Sequence, residues 1–397
     1  MAADFKKMRI KLHSLVLFRN ILDDPVLRKF DKLLGDIEKH DAALSVDSYA
    51  DFLNSLFNFN MNFSRYIMDY LMQDENLYIK KLAADKEISS DLKSCLRHEL
   101  STLQEISLTS SAQIKRYIPY EGYMPDWQVS ELDFAAEYEQ YAKHIPQRGY
   151  GVFASFGMFT LNGTTPVPVK TPDPIRLADL AFYEKQRQSV LKNTLALTKG
   201  MPASNVLLYG DSGTGKSSTV KAVANECFDK GLRLVEVKKT ELAAIPALIE
   251  RLSDNPLKFI LFVDDLSFDG DGDSFISLKA ALEGSVLART PNIAIYVTSN
   301  RRHLIKESFA ERQGDELHIN ETIQQTTSLS DRFGLTIPFI EPDKPTYLGI
   351  VSHIAKTRGL KLNEDELFKR AEVFAIEKSG RSPRAASQLV DQMLNET

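Results

Sequence analysis

Cysteine is nearly absent from this chain: Cys95 and Cys227 are the only two in 397 residues, and they lie far apart. Two such cysteines cannot build a disulfide framework or a zinc site, which suits a reducing, cytoplasmic compartment. Seven histidines are scattered without metal-ligand spacing. No excess of basic charge exists either. The 49 Lys and Arg against 54 Asp and Glu leave a net charge of −5, so no global field draws the molecule onto nucleic acid or an anionic membrane, although a local basic groove stays open. Long apolar runs are missing: those near Phe259 and Ile293 reach about five residues, against the roughly 20 that a membrane helix needs. The apolar run Leu15 to Phe18 is followed at once by charge and by no small-residue cleavage site, which argues against a secretory signal. Repeats and low-complexity tracts are absent as well.

What is present is ordinary globular material. Hydrophobic residues make up 43% of the chain and charged residues 26%, and this length supports two or three domains with a sizeable core. Residues 1–148 read as a mainly helical domain, with apolar positions at three- and four-residue spacing (Leu12, Leu15, Leu17, Ile21; Leu53, Leu56, Phe57). The aromatics Phe52, Phe57, Phe59, Phe63, Tyr66 and Tyr70 are expected in its core rather than on a stacking platform. Residues 149–174 change character. Glycines interleaved with aromatics up to Gly163 suggest a short hairpin or arm, and Pro166, Pro168, Pro172 and Pro174 then read as an extended linker. From Ile175 to Phe339 helical segments alternate with five short apolar runs, 205–209, 233–237, 259–263, 293–297 and 335–339. That alternation predicts an α/β domain over 175–341 with a mostly parallel, helix-covered sheet. Residues 342–397 are helical again, broken by Gly380 and Pro383.

The chemistry begins where the first of those runs ends. Gly210, Asp211, Ser212, Gly213, Thr214, Gly215, Lys216 and Ser217 fit G-x-x-x-x-G-K-[ST] at every fixed position, within a nucleotide-binding stretch that runs to Ser218, with a strand before and helix-forming residues from Thr219 to Cys227 after. Glycines let backbone N–H groups close around phosphate oxygens, and the helix N-terminus adds a favourable dipole. Lys216 reaches the β- and γ-phosphates in such a loop, and the Ser217 hydroxyl sits on Mg²⁺. About fifty residues on, Phe259 to Val263 ends in Asp264-Asp265, two acids at a strand end, where open parallel sheets bind ligands. Asp264 is placed to hold Mg²⁺ and Asp265 to orient or deprotonate an attacking water; the alternative is a pair of solvated carboxylates. The run Ile293 to Val297 ends in Thr298-Ser299-Asn300. Asn300 can hydrogen-bond that water, or serve as a turn residue. Asp269, Asp271 and Asp273 do not form a calcium loop, because Ser274 and Ala280 stand where Gly and Glu are needed.

Together these spacings resemble the AAA+ ATPase superfamily over about Ile175 to Leu394. In that family the strand-end Asn is sensor 1. The resemblance implies an arginine finger before a later strand, and Arg332 in Leu329-Ser330-Asp331-Arg332-Phe333-Gly334 fits it. It also implies a helical lid with a sensor-2 arginine, for which Arg384 matches better than Arg381. It places Leu180 and Tyr183 near the adenine. The stretches Gly200 to Leu208, Asp264 to Phe268 and Leu278 to Gly284 are more specific. They resemble one bacterial branch, the domain-of-unknown-function family eight-fifteen, whose members are similar to helicase-loader ATPases. One departure stands out: Asp265 occupies a position that is usually Glu. The side chain is one methylene, roughly 1.5 Å, shorter, and general-base placement contributes about 10²- to 10⁴-fold.

The reading is therefore an AAA+ protein that binds ATP and Mg²⁺ and hydrolyses ATP in a homo-oligomer. A protein or nucleic-acid partner, not a membrane, is expected to be engaged through the N-terminal domain. Two rivals remain: a slow ATP-gated switch or scaffold, and a P-loop kinase, against which Arg332 and the lid argue.

Overall fold

The computed structural model describes residues 2–266, 277–280, 282, 290–300, 332–360, 363–378 and 380–396. The expectations for Asp269, Asp271 and Asp273, for Ser267 and Phe268, and for Leu329 to Asp331 lie outside these residues. The chain divides into two compact units, Met1–Ser155 and Phe156–Thr397.

The first unit is helical. Side chains set its helix starts: Asp24 accepts from the N–H groups of Val26 and Leu27 to open Pro25–Glu38, and Asp41, Asn62 and Ser89 cap Ala42–Phe57, Phe63–Gln73 and Ser90–Ser107. Each side-chain cap satisfies a donor that has no partner inside the helix. The apolar faces meet around an aromatic cluster. Phe30 lies 4.8 Å from Phe63 and 5.2 Å from Phe52, centroid to centroid, and Trp127 meets Phe52 edge-on. Phe52 and Phe63 are thus core, as expected, and Tyr66 and Tyr70 pack against it. Phe57 and Phe59 do not: they are 38% and 66% exposed. Phe57 is the last residue of its helix, and Phe59 lies in the following turn, against the ring of Tyr66. The first helix, Ala2–His13, stops before Leu15 and Leu17. There the backbone N–H groups of Val16, Leu17 and Phe18 donate to the buried carboxylate of Glu99, at 2.7 to 3.1 Å.

The second unit is a seven-stranded sheet: β1 (Met158–Asn162), β2 (Thr165–Pro168), β3 (Val206–Gly210), β4 (Leu232–Glu236), β5 (Lys258–Val263), β6 (Ile293–Ser299) and β7 (Leu335–Phe339). The spatial order is β2-β1-β4-β5-β6-β3-β7. Every pairing is parallel except β1 with β2. The central strands are buried runs of Val, Ile, Leu and Phe, as a parallel sheet requires. The five expected strands are β3 to β7. The glycine-aromatic stretch up to Gly163, expected as a short hairpin or arm, holds instead a short helix, Val152–Ser155, and then β1, which pairs with β2 on one side and with β4 on the other and extends the sheet. Pro166 and Pro168 accordingly lie in an edge strand rather than in a linker.

Helices Glu184–Thr198 and Lys216–Cys227 share a core with the sheet through Val190, Leu197, Val220 and Val223. Three further helices, Lys344–Thr357, Glu364–Glu377 and Pro383–Asn395, pack around Tyr347, Ile350, Leu389 and Val390 as a small lid. Among the described residues no helix is long and apolar enough to cross a membrane.

Candidate nucleotide site

The C-terminal ends of β3, β5 and β6 deliver the loop and the acids to one edge of the sheet. Between that edge and the lid lies a cavity of about 690 Å³. Ser212 to Ser218 line it, together with Asp264, Asp265, Thr298 and Asn300. Gly210 and Asp211 are not in the lining; they anchor the loop instead. The Asp211 N–H donates to the Phe339 carbonyl (3.0 Å), and its carboxylate accepts from the Glu341 N–H (2.6 Å), tying the loop to the end of β7.

Lys216 opens its helix and is 6% exposed. Its ammonium donates to the carbonyls of Gly210 (2.8 Å) and Asp211 (2.7 Å) and to Asn300 Oδ1 (3.1 Å). Burial pulls its pKa below the usual lysine value, against the opposing pull of the Asp211, Asp265 and Asp264 carboxylates. Ser217 Oγ donates to Asp264 Oδ1 at 2.5 Å. A hydroxyl and a carboxylate meeting at a cavity wall are hard oxygen donors, the set that Mg²⁺ prefers. Asp265 has φ of +49°, left-handed for a residue with a side chain, and its Oδ1 accepts from Asn300 Nδ2 at 2.7 Å. Lys216, Asn300 and Asp265 thus form one hydrogen-bonded chain across the ends of β3, β5 and β6.

Another part of the wall is apolar. Leu180 and Tyr183 line it, as does Phe182. Tyr183 stacks on Phe339 (5.2 Å) and donates its hydroxyl to the Ile340 carbonyl (2.7 Å), and burial pushes the phenol up to about 12. Phe182 packs with the lid core, its ring so near Gly349 that a Cβ there would lie 2.7 Å away.

The two candidate lid arginines separate. Arg384 lines the cavity, and its N–H donates to the Gly213 carbonyl at 3.2 Å. Arg381 is outside the lining and pairs with Glu372 within the lid, at 3.3 Å. Arg332 is exposed in the turn before β7 and is also outside the lining. Because β7 is parallel to β3, that turn lies beyond the far end of the strand, at least about 13 Å from the loop edge.

Sequence reasoning did not single out Thr298 and Phe182. Thr298 carried a signal. It stands two residues before Asn300, so in a strand both side chains point the same way. Phe182 carried none, since the lid core it packs against lies more than 160 positions further along the chain.

A glycine-rich loop, two strand-end acids and a strand-end asparagine on a mostly parallel sheet with a helical lid define an α/β fold of the P-loop type. The chain belongs to the family described as "Protein of unknown function (DUF815)", whose model matches residues 155–397. Among solved structures, the chain is similar to the FIGL-1 AAA domain in complex with ADP. The identity is 18%, over 56% of this chain and 73% of that one, with a TM-score of 0.39. It is also similar to the Thermotoga maritima RuvB Holliday junction branch migration motor, at 14% identity over 56% and 72%, with a TM-score of 0.34. No curated protein gives a significant match.

Proposed function

We propose that this protein binds ATP with Mg²⁺ and hydrolyses the γ-phosphate bond, working as a homo-oligomer on a macromolecular partner engaged through its helical unit. The observation that carries the reading is the convergence of Lys216, Ser217, Asp264, Asp265 and Asn300 on one cavity. Phosphoryl transfer asks a protein mainly for positioning and charge stabilisation. Lys216 offsets phosphate charge. Ser217 and Asp264 would hold Mg²⁺, which when bound neutralises charge developing on the phosphates. Asp265 accepts the proton of the attacking water, and Asn300 orients both. Arg384 faces the phosphates from the lid.

A slower reading, an ATP-gated switch, is favoured by one observation. Asp265 is short, and its carboxylate is already held by the Asn300 amide, so an attacking water must compete with that hydrogen bond.

Titrating a fluorescent ATP analogue and following phosphate release tests both. Lys216→Ala should lose at least about tenfold in affinity, the worth of a charge-assisted contact. Asp265→Asn should keep its affinity and lose turnover. Equal affinity and turnover in the Lys216 variant and the parent would overturn the reading. Tight binding with negligible phosphate release by the parent would select the switch.

A further inference from the structure

We infer that Thr298 is a positioning residue that sets both acids of the site; this rests on the ATP·Mg²⁺ reading above. Thr298 lies at the end of β6, 1% exposed yet lining the cavity. Its hydroxyl sits between two groups. The backbone N–H of Asp265 lies 2.8 Å from Oγ1, and Asp264 Oδ1 is within hydrogen-bond reach on the other side. A backbone N–H only donates, so Oγ1 accepts there, and its hydrogen is free to point at the Asp264 carboxylate. One hydroxyl therefore fixes the direction of the metal-side acid and anchors the backbone of the acid beside it.

Each half of that contact has a consequence. Two hydroxyls, of Ser217 and Thr298, converge on Asp264 Oδ1. Ser217 must turn its oxygen to a cation when one is bound, whereas the hydrogen bonds of the Thr298 hydroxyl among the described residues go to Asp264 and Asp265 and not to the phosphate loop, so its hold on Asp264 is free to persist. On the other side, Asp265 adopts a left-handed backbone, a conformation that persists only where its surroundings impose it. The N–H···Oγ1 bond is such a restraint, and the turn it supports aims the short carboxylate at Asn300.

The surrounding turn has separate anchors. The Leu266 N–H donates to the Thr298 carbonyl (2.8 Å), and Ser299 Oγ donates to the Leu266 carbonyl (2.8 Å). Thr298→Val keeps both and keeps the shape of the side chain; it removes the hydroxyl alone.

The test measures affinity for a fluorescent ATP analogue in EDTA, the Mg²⁺ concentration for half-maximal tightening of that binding, and steady-state phosphate release. Thr298→Val should leave the EDTA affinity at the parental value, raise the half-maximal Mg²⁺ concentration severalfold and lower kcat about tenfold, as expected for one hydrogen bond to a charged group. Thr298→Ser, which retains the hydroxyl, should return both toward the parent. Parental Mg²⁺ dependence and turnover in Thr298→Val would overturn the inference. So would a parallel loss of EDTA affinity, which marks a merely structural role, or failure of Thr298→Ser to rescue. A parent that binds ATP·Mg²⁺ without releasing phosphate would sink the hydrolysis reading, yet the Mg²⁺ shift would still decide the role of Thr298.

Discussion

Gly213 meets two demands at one atom. Its φ is +75°, and a Cβ there would lie 3.0 Å from Ser382 Oγ and 3.1 Å from Arg384 Cβ on the lid. Left-handed backbone costs an L-residue about 1–2 kcal/mol, and the added methyl must also push the start of the helix Pro383–Asn395 away from the loop. Gly163 separates the two effects. It has a similar φ of +62°, with no atom within 4 Å of its virtual Cβ. Gly163→Ala should therefore lower stability by about 1–2 kcal/mol and leave ATP affinity unchanged. Gly213→Ala should show a comparable stability loss together with weakened binding of ATP. Denaturant melts paired with nucleotide titrations check this, and unchanged affinity in Gly213→Ala would show that the lid yields freely. This contrast is invisible in the sequence, where Gly213 reads as part of a phosphate loop and Gly163 as the end of a glycine-aromatic hairpin or arm.

Among the elements, β2 shows how the sheet ends. The Val169 N–H donates to the Met158 carbonyl, toward β1. Along an antiparallel strand, inward and outward N–H groups alternate, so positions 168 and 166 face away from β1. Both are proline. The outer side of β2 is thereby stripped of donors at those two positions, a device that blocks edge-to-edge pairing. Replacing Pro166 and Pro168 together with valine should leave the pairing with β1 intact, create two outward donors and raise self-association. Light scattering across a concentration series measures it; a variant that scatters like the parent would mean that something else guards this edge. Composition alone suggested a linker, because proline-rich sequence is extended in a linker and in an edge strand alike, and only a neighbouring strand tells them apart.

For the whole molecule, Arg332 raises the question of assembly. It sits at the end of the sheet opposite the cavity, so a role at the γ-phosphate requires a neighbouring subunit. An arginine supplied in trans contributes about 10³- to 10⁵-fold in rate. A Lys216→Ala subunit lacks the phosphate contact and keeps Arg332; an Arg332→Ala subunit has the converse defect. Each alone should be inactive, and their mixture should recover part of the parental phosphate release. A mixture that stays inactive, with a parent that is monomeric in ATP and still active, would return Arg332 to a structural role.

The phosphate loop, the strand-end acids and the lid helices were legible in the sequence because their signals are local. A glycine spacing specifies a turn and an apolar run specifies a buried strand; Pro383, which reads as a break, opens the last helix behind its Ser382 cap. Tertiary structure decided whatever depends on a partner distant in the chain. It placed the hairpin against β4, set Thr298 between two acids more than thirty positions earlier, put Arg384 in the cavity and Arg381 against Glu372, and ended the first helix where Glu99 accepts three N–H groups. Periodicity reports which face of an element is buried. The group that satisfies a given donor or charge is chosen only when the elements close on one another.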